Sequence, residues 1–157
     1  MKPAGRLVAP ADADGAPIMD DPYDLQRFVD AQAPVFPRVL AELGAGAKRS
    51  HWMWFVFPQI AGLGHSAMAQ RYAIGSRAEA VAYLQHPLLG PRLRDCAQLM
   101  TAVEHRSVHE ILGSPDDLKF HSCMTLFAQV TPDNTVFLRA LDKYFSGAFD
   151  QATMDKL

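Results

Sequence analysis

Two groups of residues in this chain have the types and spacing from which chemistry can be built. The first lies in Lys48–Gln59, K-R-S-H-W-M-W-F-V-F-P-Q, where the apolar run Trp52 to Phe57 is bordered by Lys48, Arg49 and His51 on one side and by Pro58 and Gln59 on the other. Both tryptophans of the chain are in that run. Apolar walls with a few convergent polar groups are the usual composition of a small-molecule pocket. In that reading Lys48 takes an anionic group, His51 serves as a donor or general acid/base near neutral pH, Trp52 and Trp54 supply stacking faces, and Gln59 adds an amide. The plainer reading makes the aromatics core and leaves the polar residues in solvent, since aromatic-rich core segments are common.

The second group is Asp116, Lys119, Ser122 and Thr125, three residues apart along one expected helix. Lys119 would contact a phosphate or carboxylate, Ser122 would donate a hydrogen bond, and Asp116 would share proton transfer with His51. Against this stands an ordinary i, i+3 Asp–Lys pair on a wet helix face, worth roughly 0.2–0.5 kcal/mol. Other patterns are weaker. His105 and His109 are four apart, but the helix start expected at Ser107 falls between them and spoils a chelating geometry. His121 has no spaced partner. No H-E-x-x-H, G-x-S-x-G, Gly-rich phosphate loop or dinucleotide fingerprint occurs, so no metal and no cofactor is expected.

The elements that must position these groups read as helices throughout. Asp21 and Pro22 suit an N-cap and a first helical position, with Leu25, Phe28, Val29 and Gln32 in helical spacing up to Pro34. Phe36, Val39, Leu40 and Leu43 predict a second helix, ended by Gly44 and Gly46. The aromatic run has no period-two partner elsewhere, so it predicts a short buried helix from Ser50 to Pro58, with Lys48, His51, Trp52, Phe55 and Gln59 on one stripe. Ile60–His65 reads as loop and Ser66–Tyr72 as a short turn of helix. Ser76 with Glu79, and Ser107 with Glu110, are capping-box patterns. Pro91 is expected to open a helix striped by Leu93, Cys96, Ala97, Met100 and Val103. Ser114-Pro115 and Thr131-Pro132 read as further starts, and Asp150 as the start of a last turn. The sum is an all-α domain over residues 19–157, with about seven to nine mostly short helices. Residues 1–18, rich in Ala, Pro, Gly and Asp without periodicity, read as a disordered leader.

Composition narrows the classes. At 157 residues the length is that of one domain, and hydrophobic residues at 49% with charged residues at 20% are ordinary for a globular protein. A net charge of −2 and a single adjacent basic pair, Lys48-Arg49, argue against a nucleic-acid partner. No segment approaches the ~18 apolar residues of a membrane span, and Leu7-Val8-Ala9 is too short for a signal-peptide core. Cytoplasmic is the expected location. Cys96 and Cys123 fall on apolar helical faces and read as core thiols.

Several of these strings resemble a known family. D-P-Y-D-L-Q-R-F-V-D-A-Q (21–32), the 48–59 segment, A-G-L-G-x-S-A-M-A-Q-R-Y-A-I (61–74), H-P-L-L-G-P-R-L-R (86–94) and D-D-L-K-F-H-S-C-M-T-L-F (116–127) are similar to small bacterial proteins of a domain-of-unknown-function family. Some members of that family carry a calpastatin-like label. The resemblance covers about residues 20–157 and implies an all-α fold without an assigned activity. The matching motif positions are Phe28, Gln32, Lys48, His51, Trp52, Trp54, Gln59, Lys119, Ser122 and Thr125. Phe120-His121 departs from the pattern, which has an aliphatic residue followed by arginine. The calpastatin label has no physical support, because that inhibitor is disordered and repetitive and this chain is neither. Asp116, Lys119, Cys123 or Met124, and Phe127 are also similar to a helix of YbiA-like proteins, which act on N-glycosidic bonds of ADP-ribose-type or related ribosylated substrates. Two functions stand as expectations: a pocket for an anionic, ring-containing metabolite such as a nucleotide or ADP-ribose-like molecule, with hydrolysis of an N-glycosidic bond, or a non-catalytic helical adaptor.

Overall fold

The computed structural model describes residues 20–157, so the leader expected over 1–18 lies outside the described residues. Among the described residues ten helices succeed one another: α1 (Gln26–Gln32), α2 (Phe36–Ala45), α3 (Met53–Val56), α4 (Ala67–Arg71), α5 (Arg77–Gln85), α6 (Leu89–Ala102), α7 (Val108–Leu112), α8 (Asp116–Ala128), α9 (Thr135–Phe145) and α10 (Gln151–Met154). The all-α expectation holds, at one helix more than the expected range. Among the described residues the only strand-like pairing is an isolated parallel bridge between Ile60 and Ile74. No described helix is long and apolar enough to cross a membrane.

α8 is the axis of the core. Phe120, Cys123, Met124 and Phe127 are fully buried on it, and α9, α5, α7 and α10 all pack against it. Aromatic contacts then run outward. Phe57 meets Phe120 edge-on at 5.0 Å, Phe127 meets Tyr83 at 5.4 Å, and Tyr83 meets Phe28 at 5.1 Å. Edge-to-face pairs add to what area burial alone supplies. Gln32, 1% exposed, donates to the Phe55 carbonyl at 2.7 Å and ties α1 to the aromatic segment. Cys96 and Cys123 are buried free thiols, as expected. Burial pushes Cys96 up to about 12 and Cys123 well above its ordinary value, so neither is a reactive thiolate.

Several helix ends differ from the sequence expectation, and each has a local reason. α1 begins at Gln26, because Asp24 takes a left-handed conformation (φ 51°) and turns the chain first. Asp21 still caps it across that turn, accepting from the Leu25 and Gln26 amides at 2.8 and 2.9 Å. Only Gly46, left-handed at φ 70°, ends α2; Gly44 lies within the helix. α6 starts at Leu89, two residues before Pro91, because His86 Nδ1 accepts from the Leu88 and Leu89 amides at 3.1 and 3.2 Å. The Ser107–Glu110 box forms completely. The Ser76–Glu79 box forms by half: Ser76 accepts from the Glu79 amide, while the Glu79 carboxylate turns to the Gly75 amide and to Arg27. Pro115 occupies the N-cap of α8 in place of Ser114. α9 starts at Thr135, since Thr131 Oγ1 accepts from the Asp133 amide and holds a turn there instead.

Candidate functional site

The aromatic run does not form the long helix that its stripe implies. α3 is one turn, Met53–Val56, and Lys48 to Ser50 precede it as an irregular segment. The Lys48 amide donates to the Ile111 carbonyl at 2.8 Å. Glu42, near the end of α2, organises the path from Arg49 to Trp52. Its Oε1 accepts from the Arg49 and Ser50 amides and from the Trp52 indole Nε1 at 2.8, 3.2 and 2.9 Å, and its Oε2 from the Ser50 hydroxyl at 2.7 Å. Burial alone would raise this carboxyl. The four donors outweigh it and hold the group down to about 2.

Trp52 is 1% exposed and its indole N–H is satisfied, so it serves as core and not as an open stacking face. Trp54 is half-buried. Over its ring sits Lys119, with Nζ 5.1 Å from the centroid, and Lys48 sits likewise over Trp52 at 5.2 Å. Asp116 stands between the two lysines. Its Oδ2 is 2.8 Å from Lys48 Nζ and its Oδ1 is 3.9 Å from Lys119 Nζ. The structure thus brings together Lys48, Trp52, Trp54, Asp116 and Lys119, drawn from both sequence groups.

Beside them lies a cleft of about 400 Å³, lined among others by Gln59, Leu63, His65, Lys119, Ser122 and Asp150. One wall is the Gln59–His65 loop, pinned by the Ile74 amide donating to the Gln59 carbonyl at 2.9 Å and the Ala61 amide donating to the Ile74 carbonyl at 2.8 Å. Gly64 is required there, since a Cβ on it would lie 2.7 Å from the Ala69 Cβ. The opposite wall is α8 with the start of α10. Ser122 Oγ has Asp150 Oδ2 at 3.0 Å and the Leu118 carbonyl at 3.2 Å, two acceptors that share its single hydroxyl proton. Asp150 Oδ2 also takes the Thr153 hydroxyl and amide, and the Asp150 amide donates to Thr125 Oγ1 at 2.8 Å. Ser122 and Thr125 therefore anchor the C-terminal turn, with Ser122 also bordering the cleft.

His51 is exposed and is not among the residues lining the cleft. The imidazole at the cleft belongs to His65 and the carboxylate to Asp150. Sequence reasoning passes over both, because a loop histidine and a helix-capping aspartate are ordinary surface features. It misses Glu42 as well, whose one signal is a carboxylate on the face of α2 that carries Val39 and Leu43. Among the described residues no cluster of His, Cys, Asp or Glu is arranged to hold a metal ion.

A wider groove of about 790 Å³ lies between α5 and the C-terminal end of α8, lined by Arg77, Val81, Gln129, Val130 and Asn134 among others. It is shallow and open. Its polar groups mostly serve helix ends: Arg77 donates to the Gln129 carbonyl and Asn134 to the Ala128 carbonyl.

No curated protein matches the chain. Among solved structures it is similar to the conserved hypothetical protein Rv1873 from Mycobacterium tuberculosis, with 58% identity, a TM-score of 0.87, and coverage of 87% of this chain and 98% of that one. The sequence profile of a family described as protein of unknown function, DUF1810, matches residues 22–157. That match takes in every described helix and the whole candidate site, and the chain belongs to the DUF1810 family.

Proposed function

We propose that the cleft between the Gln59–His65 loop and α8 binds a small anionic, ring-containing metabolite of the nucleotide or ADP-ribose-like class. The observation that carries this reading is the convergence of Gln59, from the aromatic segment, with Lys119 and Ser122, from α8, on one concave site. Lys119 meets the anionic group. Gln59 offers an amide, and Leu63 and Leu118 give the apolar surface against which a flat ring lies. A volume of about 400 Å³ falls within the size range of ligand pockets, near its lower end. If an N-glycosidic bond is hydrolysed here, proton transfer falls to His65, which lines the cleft, since the Asp150 carboxylate beside it is engaged by Ser122 and Thr153. It does not fall to Asp116, which is held by Lys48, or to His51, which is exposed.

A thermal-shift panel of nucleotides, ribose 5-phosphate, ADP-ribose, NAD and other sugar phosphates tests the reading. Ligand at 100 times its Kd adds ~2.7 kcal/mol, which for a chain of this length raises Tm by roughly 5–11 °C at ~2–4 °C per kcal/mol. The shift is expected to vanish in Lys119→Ala. No shift across the panel, or a shift that persists in Lys119→Ala, contradicts it.

The adaptor reading draws on one observation. Leu118 is 62% exposed on the cleft rim and Phe149 is 43% exposed just before Asp150, an apolar edge that a protein partner would also cover.

A further inference from the structure

We propose that Asp150 is the ribose-binding residue of the cleft. Its second carboxylate oxygen accepts from the 2′,3′-hydroxyl pair of the ligand, so that the site takes ribosyl phosphates and discriminates against their dideoxy counterparts. This deepens the metabolite-site reading and rests on it. The two oxygens of the carboxylate are used unequally. Three donors surround Oδ2: the Thr153 hydroxyl at 2.6 Å, the Ser122 hydroxyl at 3.0 Å and the Thr153 amide at 3.2 Å. Oδ1 has no hydrogen-bond partner among the described residues. It is also open to solvent, because the one buried side-chain polar atom left without a partner among those residues is Gln129 Nε2. The Asp150 amide donates to Thr125 Oγ1 at 2.8 Å, which fixes the backbone that carries the carboxylate. Asp150 is half-buried and lines the cleft. The result is an immobilised acceptor with one oxygen to spare.

The charges around the cleft suit a ribosyl phosphate. Asp150 is the only acid among the described residues that line it, and it shares the α8–α10 wall with Lys119. On the loop side Lys156 lies against Gly62, with Nζ 3.0 Å from the position that a Cβ there would take. One phosphate or two thus find a cation at either wall. A bare anion at Lys119 would also face the Asp150 carboxylate, whereas a sugar places neutral hydroxyls there. Hydroxyls donate to a carboxylate in short, charge-assisted bonds, and an acidic side chain takes the ribose hydroxyl in the same way in dinucleotide-binding folds. Ser122 and Thr153 are then positioning residues, which hold one carboxylate oxygen and leave the other for the ligand.

Isothermal titration with adenosine 5′-monophosphate and its 2′,3′-dideoxy form tests this on the native chain, Asp150→Asn and Lys119→Ala. The native chain is expected to bind the ribonucleotide roughly tenfold or more tightly than the dideoxy form, as a hydrogen bond to a charged acceptor implies. Asp150→Asn keeps an acceptor for Ser122 and Thr153 and remains a good helix cap, and its preference for the ribonucleotide is expected to fall to about threefold or less. Lys119→Ala is expected to weaken both nucleotides alike and keep their ratio. One readout needs no variant: in the native chain the Asp150 carboxyl carbon resonance is expected to move with the ribonucleotide and stay in place with the dideoxy form. Equal affinities in the native chain, a full preference retained in Asp150→Asn, or an unmoved Asp150 carboxyl at saturating ribonucleotide overturns the inference while the metabolite site stands. Failure of the native chain to bind either nucleotide removes the site reading and the inference with it.

Discussion

The Trp52 indole donates to Glu42 Oε1 at 2.9 Å, and through that bond the end of α2 fixes the start of the aromatic segment. A buried indole N–H needs a partner. Here it finds a carboxylate that also gathers two backbone amides and a hydroxyl from Arg49 and Ser50. The path from Arg49 to Trp52 depends on this side chain, while the Lys48 amide just before it is held by the Ile111 carbonyl.

Glu42→Ala is therefore expected to destabilise the protein by about 2–4 kcal/mol, as the loss of a buried multiply bonded carboxylate implies. Glu42→Gln is expected to lose less, because the amide oxygen still accepts. Chemical denaturation at pH 7 measures both. A Glu42→Ala loss under ~0.5 kcal/mol would show that the segment holds its path without the carboxylate.

The same group predicts a pH dependence. Its folded value of about 2 lies below its ordinary 4.5. A depressed acid stabilises the fold above its unfolded value and loses that contribution as pH falls through the folded one. Stability should thus decline between about pH 4.5 and pH 2, by roughly 3 kcal/mol at most from this group. Denaturation midpoints of the native chain and Glu42→Gln across that window check it. The two curves should converge toward pH 2, and parallel curves would contradict the assignment.

Helix content was legible from the sequence because caps and apolar spacing act locally. The boundaries that slipped did so where a distant or unusual group took over. His86 caps α6 through its ring nitrogen, which no capping preference signals. Thr131-Pro132 carries a start signal but spends it on a turn. The site was legible in part for a related reason. Lys48, Asp116 and Lys119 stood out by type, but the expected stripe with His51 required a helix from Ser50, and Glu42 holds those residues irregular instead. Which of two tryptophans two positions apart would be core, and which would be half-exposed under a lysine, depends on that same long-range bond.

His86→Ala removes the ring cap of α6 and is expected to cost about 1 kcal/mol. His86→Asn, whose side chain can accept at a helix start, should recover part of it. Thermal denaturation of the two variants decides; equal losses would mean the imidazole matters only through packing.

Gly90 gives a sharper steric test. A Cβ there would stand 2.1 Å from the Leu84 carbonyl oxygen, a backbone atom at the α5–α6 crossing that cannot swing away. Gly90→Ala should destabilise by about 1–3 kcal/mol despite alanine's better helix propensity. Stabilisation in an equilibrium unfolding experiment would mean that the two helices part more easily than their packing implies.

Whether the Lys119 cleft is the ligand site is tested by amide chemical-shift mapping during titration with adenosine 5′-monophosphate. Saturable shifts are predicted at Gln59, His65, Lys119, Ser122 and Asp150, with the groove around Arg77 and Gln129 unmoved. Saturable shifts centred on Arg77 and Gln129, or no shifts at millimolar nucleotide, would contradict the assignment.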